Sequence, residues 1–159
     1  MSYCSFIATE RPMREIHTPI ETITVREAIK RNIPPHELVA WEELDVNAEV
    51  LVVENEDDLH ELTISADSYY DVSHYSSYPY VYEVSFRYSN KRLEHLLHYL
   101  HDNIEDGQII ELWNVWLGDD ENVPYERCHI RELTVNKLDM LYNHDCASFK
   151  PQYCLVIEK

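Results

Sequence analysis

The chain has 159 residues, 45% of them hydrophobic and 27% charged, which fits one globular domain, 1–159, with its own core and excludes a disordered chain. Thirty acidic against thirteen basic residues give a formal charge of −17, which repels nucleic-acid phosphates and anionic membranes and favours encounter with a basic protein partner. Only two glycines occur, Gly107 and Gly118, so there is no glycine-rich phosphate loop, and no cofactor is expected.

The first sixteen residues, "MSYCSFIATERPMREI", carry neither a basic start nor a long apolar run, so neither a signal peptide nor a membrane span is predicted and the expected compartment is the cytoplasm. Within them "YCSFIA" is short and apolar enough for a buried strand. Thr24 and Glu27 have capping-box spacing at the head of "TVREAIKRN", and Pro34 with Pro35 ends that helix early. Leu38, Trp41 and Leu44 recur at threefold spacing and suggest another helical turn or two. "AEVLVVEN" and "LHELTISA", on either side of "EDD", read as an antiparallel hairpin with a charged tip.

From Tyr78 to Tyr88 the even positions are aromatic or Val (Tyr78, Tyr80, Tyr82, Val84, Phe86, Tyr88) and the odd ones mixed, the period-two pattern of a strand. Its aromatic face is expected against a leucine-rich helix, and Pro79 places the strand's start there or the strand at an edge. The preceding "DSYYDVSHYSS" has no period, so Tyr69, Tyr70, His74 and Tyr75 stand in a loop. Its mixture of rigid rings and small hydroxyls suits partner binding.

"SNKRLEHLLHYLHDNIEDG" holds the strongest helix signal: Leu93, Leu96, Leu97, Leu100 and Ile104 form one stripe, with Ser89 or Asn90 to cap the start and Gly107 the end. His95, His98 and Asp102 fall on the opposite, solvated face, and His101 beside the stripe is expected half-buried. "QIIELWNVWLG" is apolar on both faces and reads as a central strand. "ERCHIREL" and "QYCLVIEK" follow as strands, with a short helix in "TVNKLDMLYN" between them. The sum is an α+β fold: a mixed, mostly antiparallel sheet of about six or seven strands with two or three helices packed on one face.

Three groups of side chains suggest chemistry. Asp119, Asp120 and Glu121 follow the central strand at Gly118, where carboxylates could act as metal or acid-base groups, although no calcium-loop spacing accompanies them. Cys128, His129, His144 and Cys146, with Cys4, contain zinc-ligand types without the paired spacing of a zinc site, and no metal is expected. Cys4, Cys128, Cys146 and Cys154 are widely spread, which in a reducing compartment reads as free, packed thiols. A thiol nucleophile would need His129 or His144 beside it in space.

"MSYCSFIATERPMREI", "YPYVYEVSFRYSN" and "LHYLHDNIEDGQIIELWNVWLGDDE" together resemble, over about half the chain, a set of small uncharacterised Bacillus-type proteins. In those a tyrosine-rich strand precedes a leucine-rich helix and the next strand ends in a Trp-x-Gly-acid turn, kept here as Trp116 to Asp120. "SFRYS" stands where some of them carry a glycine- and cysteine-rich segment, and the resemblance implies a bacterial protein but no activity, cofactor or catalytic residue. Two functions are compatible with these readings. One is a protein-binding module, immunity- or inhibitor-like, for a basic partner. The other is a small hydrolase or metal-dependent enzyme using the carboxylates near Gly118 or the Cys and His groups.

Overall fold

A computed structural model describes residues 3–18, 20–66, 70–118, 122–142 and 152–159. In chain order the elements are β1 (Tyr3–Thr9), β2 (Glu21–Thr24), α1 (Val25–Lys30), β3 (Glu49–Val52), β4 (Thr63–Ser65), β5 (Tyr80–Ser85), α2 (Asn90–Asn103), β6 (Ile109–Trp116), β7 (Tyr125–His129), α3 (Val135–Tyr142) and β8 (Tyr153–Glu158). Contacts divide the chain into two compact units, Met1–His17 with Glu61–Lys159, and Thr18–His60. No helix among the described residues is long and apolar enough to cross a membrane.

The larger unit is built on a six-stranded mixed sheet in the order β4-β5-β1-β6-β8-β7, antiparallel except where β7 runs parallel to β8. Alternation along each strand sorts its side chains onto two faces. Ile7, Ile64, Tyr82, Val84, Ile110, Leu112, Leu155 and Ile157 point to one face. There they bury against Leu93, Leu96 and Leu100 of α2 and Leu138 and Leu141 of α3. This is the α+β architecture expected of the sequence, with the helices on one face. β6 lies between β1 and β8, and both its faces are apolar because Ile110 and Leu112 pack in the helix-side core while Trp113 and Val115 pack in the cluster on the other face.

Local signals hold where they depend on neighbours along the chain. Thr24 caps α1 by accepting from the Glu27 N–H at 3.3 Å, and Ser89 caps α2 by accepting from the Arg92 N–H at 3.3 Å. The α2 stripe is buried as expected at Leu93, Leu96, Leu100 and Ile104, and Tyr99 joins it, donating its hydroxyl to the Arg14 carbonyl. Arg92 is buried too. Its guanidinium reaches Glu61 at 3.2 Å, and Lys91 and His95 flank the same carboxylate at 3.8 and 3.3 Å. His101 is exposed rather than half-buried, because it falls just off a stripe that the sheet covers no further.

The hairpin expected of 48–66 does not form. β3 pairs with β2 in a separate two-stranded sheet, β4 pairs with β5 in the large one, and the "EDD" between them begins a 3-10 turn, Glu56–His60. Both runs alternate, but alternation records that one face is covered and not which strand lies alongside. The threefold pattern of Leu38, Trp41 and Leu44 yields only a three-residue 3-10 turn, Trp41–Glu43.

The tyrosine strand is buried only at its centre. Tyr82 and Val84 are enclosed and Phe86 is half-buried, whereas Tyr80 and Tyr88 are 41% and 40% exposed and Tyr78 packs on the other face of the sheet. β5 begins at Tyr80, just after Pro79, and lies between β4 and β1 rather than at an edge.

Candidate functional site

The sheet face away from the helices is closed by the tyrosine loop. Phe6 of β1 and Trp113 of β6 stack at 5.9 Å between centroids, and Tyr75 tilts over both at 6.3 and 5.8 Å. The Tyr75 hydroxyl donates to the Trp116 carbonyl at 3.1 Å, while Val72 and Tyr78 complete the packing around Cys4, Ala8 and Val115. Just before Val72 the loop turns at Asp71, whose carboxylate accepts from the Ser73 N–H at 3.0 Å, and hydrogen bonds from Ser73 hold its pKa below the usual value.

Of the residues expected to meet a partner, Tyr75 is half-buried as a wall of this second cluster, Tyr70 and His74 are exposed, and Tyr69 lies outside the described residues. The loop is therefore anchored by the rings that point inward. Only its outer side is offered to solvent.

Asp119, Asp120 and Glu121 lie outside the described residues, as do His144 and Cys146. β6 ends at Trp116, and two residues on stands Gly118, whose φ of 83° is the left-handed conformation that glycine adopts without strain. Cys128 faces the helix-side core, while His129 next to it caps a 3-10 turn, its Nδ1 accepting from the Arg131 N–H at 3.1 Å. The two do not come together as a nucleophile and base. Cys4, Cys128 and Cys154 are free and buried. Burial first, and the Glu83 carboxylate second, raise the Cys4 thiol to about 11. Burial and Glu111 raise Cys154 to about 12, and burial also raises Cys128. Such thiols stay protonated at neutral pH, the opposite of what a thiolate nucleophile requires. Among the described residues no three His, Cys, Asp or Glu side chains are placed to hold a metal ion.

The unit Thr18–His60 carries a different surface. It holds eleven acidic residues against three basic ones, Arg26, Lys30 and Arg31. Arg31 is committed within it, to Glu21 at 2.8 Å and Glu27 at 2.9 Å. α1 buries Val25 and Ala28, and the β2-β3 ribbon buries Ile23. Around them seven large apolar side chains stay exposed, among them Leu38 at 83% and Leu51 at 66%, more than half of the twelve in the described chain. Leu51 stands opposite Thr22 on the ribbon face away from Ile23 and Val50. Sequence reading placed Leu38 in a helical stripe and Leu51 in a hairpin, so this exposure went unseen. The available signal was composition, since Leu38 follows Pro34, Pro35 and Glu37, and Leu51 lies in a four-residue apolar run between Glu49 and Glu54.

No protein-family model, curated protein or solved structure matches the chain.

Proposed function

We propose that the protein is a binding module for a basic protein, acting as an immunity protein or inhibitor does. The observation that carries this reading is the surface of Thr18–His60, where exposed Leu38 and Leu51 stand within a field of carboxylates. Apolar side chains left in water are the anchors of an interface once a partner desolvates them. Carboxylates around them steer a positively charged partner into encounter and disfavour acidic competitors. The outer side of the tyrosine loop, with Tyr70 and His74, offers a second polar-aromatic contact. The buried, protonated thiols give the enzyme reading no support.

The test is capture from the native host with the wild-type chain and a Leu38→Asp, Leu51→Asp variant as parallel baits. The expected result is a basic protein held by the first and lost from the second, with an association rate that falls as salt rises. Retention by both baits alike, or a partner of acidic charge, would overturn the reading.

A further inference from the structure

The large sheet parts along one seam. β1 and β5 pair from Phe6↔Glu83 to Thr9↔Tyr80 and stop, although both strands continue. β1 stays on β6 as far as Tyr3↔Trp116, and β5 stays on β4 as far as Ser85↔Thr63. Continuing the register would set Ser5 opposite Val84 and Cys4 opposite Ser85. Each strand is instead held by its outer neighbour, and a cavity of about 170 Å³ opens between them. A parted pair turns backbone donors and acceptors toward the gap, where they need other partners.

The walls are polar and aromatic. Tyr3, Cys4 and Ser5 line one side, and Val84, Ser85 and Phe86 the other. Tyr142 of α3 closes the helix side: its hydroxyl shares a 2.8 Å hydrogen bond with Ser5, and its ring packs on Phe86 at 4.9 Å. Opposite Ser5, on β6, stands Asn114, fully buried, whose side-chain amide interacts with the Tyr142 hydroxyl. Tyr70 also lines the cavity.

One charged group among the described residues lines this space. Glu83 is half-buried and falls between Phe6 and Ser65 in the register of the three adjacent strands. Its backbone pairs with both neighbouring strands, while its carboxylate joins no ion pair with a described residue and acts on the Cys4 thiol, whose pKa it helps to raise. A half-buried carboxylate without an ion-pair partner offers a counter-ion position to a bound cation. A lone carboxylate among hydroxyls and a thiol is a poor set for a divalent metal, which needs several hard oxygen ligands. Aromatic rings beside a carboxylate suit an organic cation, held by the charge and by the ring faces. The cavity is smaller than a drug-sized pocket, which limits the ligand to a few heavy atoms.

We propose that the cleft between β1 and β5 is a binding site for a small ammonium group, with Glu83 as its counter-ion, the Ser85 and tyrosine hydroxyls as acceptors, and Tyr70 at its mouth. The group belongs either to a free small amine or to a lysine side chain, and the site does not depend on the acidic surface of Thr18–His60.

The experiment follows backbone amide resonances of the whole chain on titration with ethanolamine, choline and an end-blocked lysine peptide, with ethylene glycol as the neutral control. At least one cation is expected to shift Cys4, Ser5 and Ser85 saturably, and the glycol is not. Saturation by ethanolamine identifies a free amine, saturation by the peptide alone identifies a lysine side chain, and choline, which has no N–H to give the hydroxyls, should bind more weakly than ethanolamine. Glu83→Gln keeps the shape and removes the charge, and should weaken binding roughly ten- to a hundredfold, the weight of one charged hydrogen bond. Tyr70→Ala, at an exposed position, should weaken it severalfold with thermal stability unchanged, and this second variant keeps the test valid if Glu83→Gln folds poorly. The proposal is overturned if no cation saturates these resonances, if the glycol binds equally, or if both variants bind like the wild type.

Discussion

Tyr82 is the side chain on which the tyrosine strand and its surroundings most directly depend. It is buried on the helix side of β5, and its hydroxyl accepts from the Met13 N–H at 2.9 Å, fixing the connection that leaves β1. Tyr82→Ala removes a packed ring, worth about 3–5 kcal/mol by analogy with other buried aromatics. It also strands a buried donor, worth about 1–2 kcal/mol, and the two losses overlap because they share one site. A net loss of about 4 kcal/mol lowers the melting temperature by roughly 8–16 °C in a chain of this size. Tyr82→Phe keeps the ring and strands only the Met13 N–H, so its loss should be about 1–2 kcal/mol. The internal control is Tyr80→Ala, two residues away on the same strand and 41% exposed. Urea unfolding followed by tryptophan fluorescence, with thermal melts beside it, ranks the three. Equal losses for Tyr82→Ala and Tyr80→Ala, or a Tyr82→Phe indistinguishable from wild type, would refute this account of the core.

The loop face is tested by Tyr75→Ala, which removes contacts to Phe6 and Trp113 and the bond to the Trp116 carbonyl. It should destabilise by about 3 kcal/mol in urea titration while Tyr70→Ala stays within about 0.5 kcal/mol. Glu61→Gln removes the carboxylate charge that the buried Arg92 guanidinium reaches at 3.2 Å. With Glu61 itself partly in solvent, the expected loss is about 2 kcal/mol, measured by the same titration. The thiols predict an alkaline limit. Folding raises Cys4 from 9.0 to about 11 and Cys154 from 9.0 to about 12, so the folded state holds protons that the unfolded state releases. Their contribution is complete below pH 9 and is lost as pH rises through 11 to 12, so unfolding midpoints should fall across that window. Replacing both residues by Ala should flatten that part of the profile. Native thiols should also react with a disulfide reagent far more slowly than in denaturant.

Much of the secondary structure is legible along the chain because its signals are local. A leucine stripe with Ser89 at its head specifies α2, Thr24 and Glu27 specify the start of α1, and apolar residues on both faces of 109–116 specify a strand covered from both sides. Each depends on helix period, cap geometry or strand alternation within about a dozen residues, and holds whatever lies opposite.

What the chain could not specify locally is the partner. Alternation in 49–52 and 63–65 fits a hairpin as well as it fits strands in two separate sheets, and pairing with β2 and β5 decides between them. The tyrosine loop has no period, so only the stack of Phe6 and Trp113 shows that Tyr75 turns inward while Tyr70 and His74 remain in water. Glu83 reads in sequence as a member of a mixed strand face. It becomes a carboxylate beside a cavity only because β6 and β4 hold β1 and β5 apart beyond Phe6. These features arise from contacts between residues tens of positions apart, where periodicity carries no information about which surfaces meet.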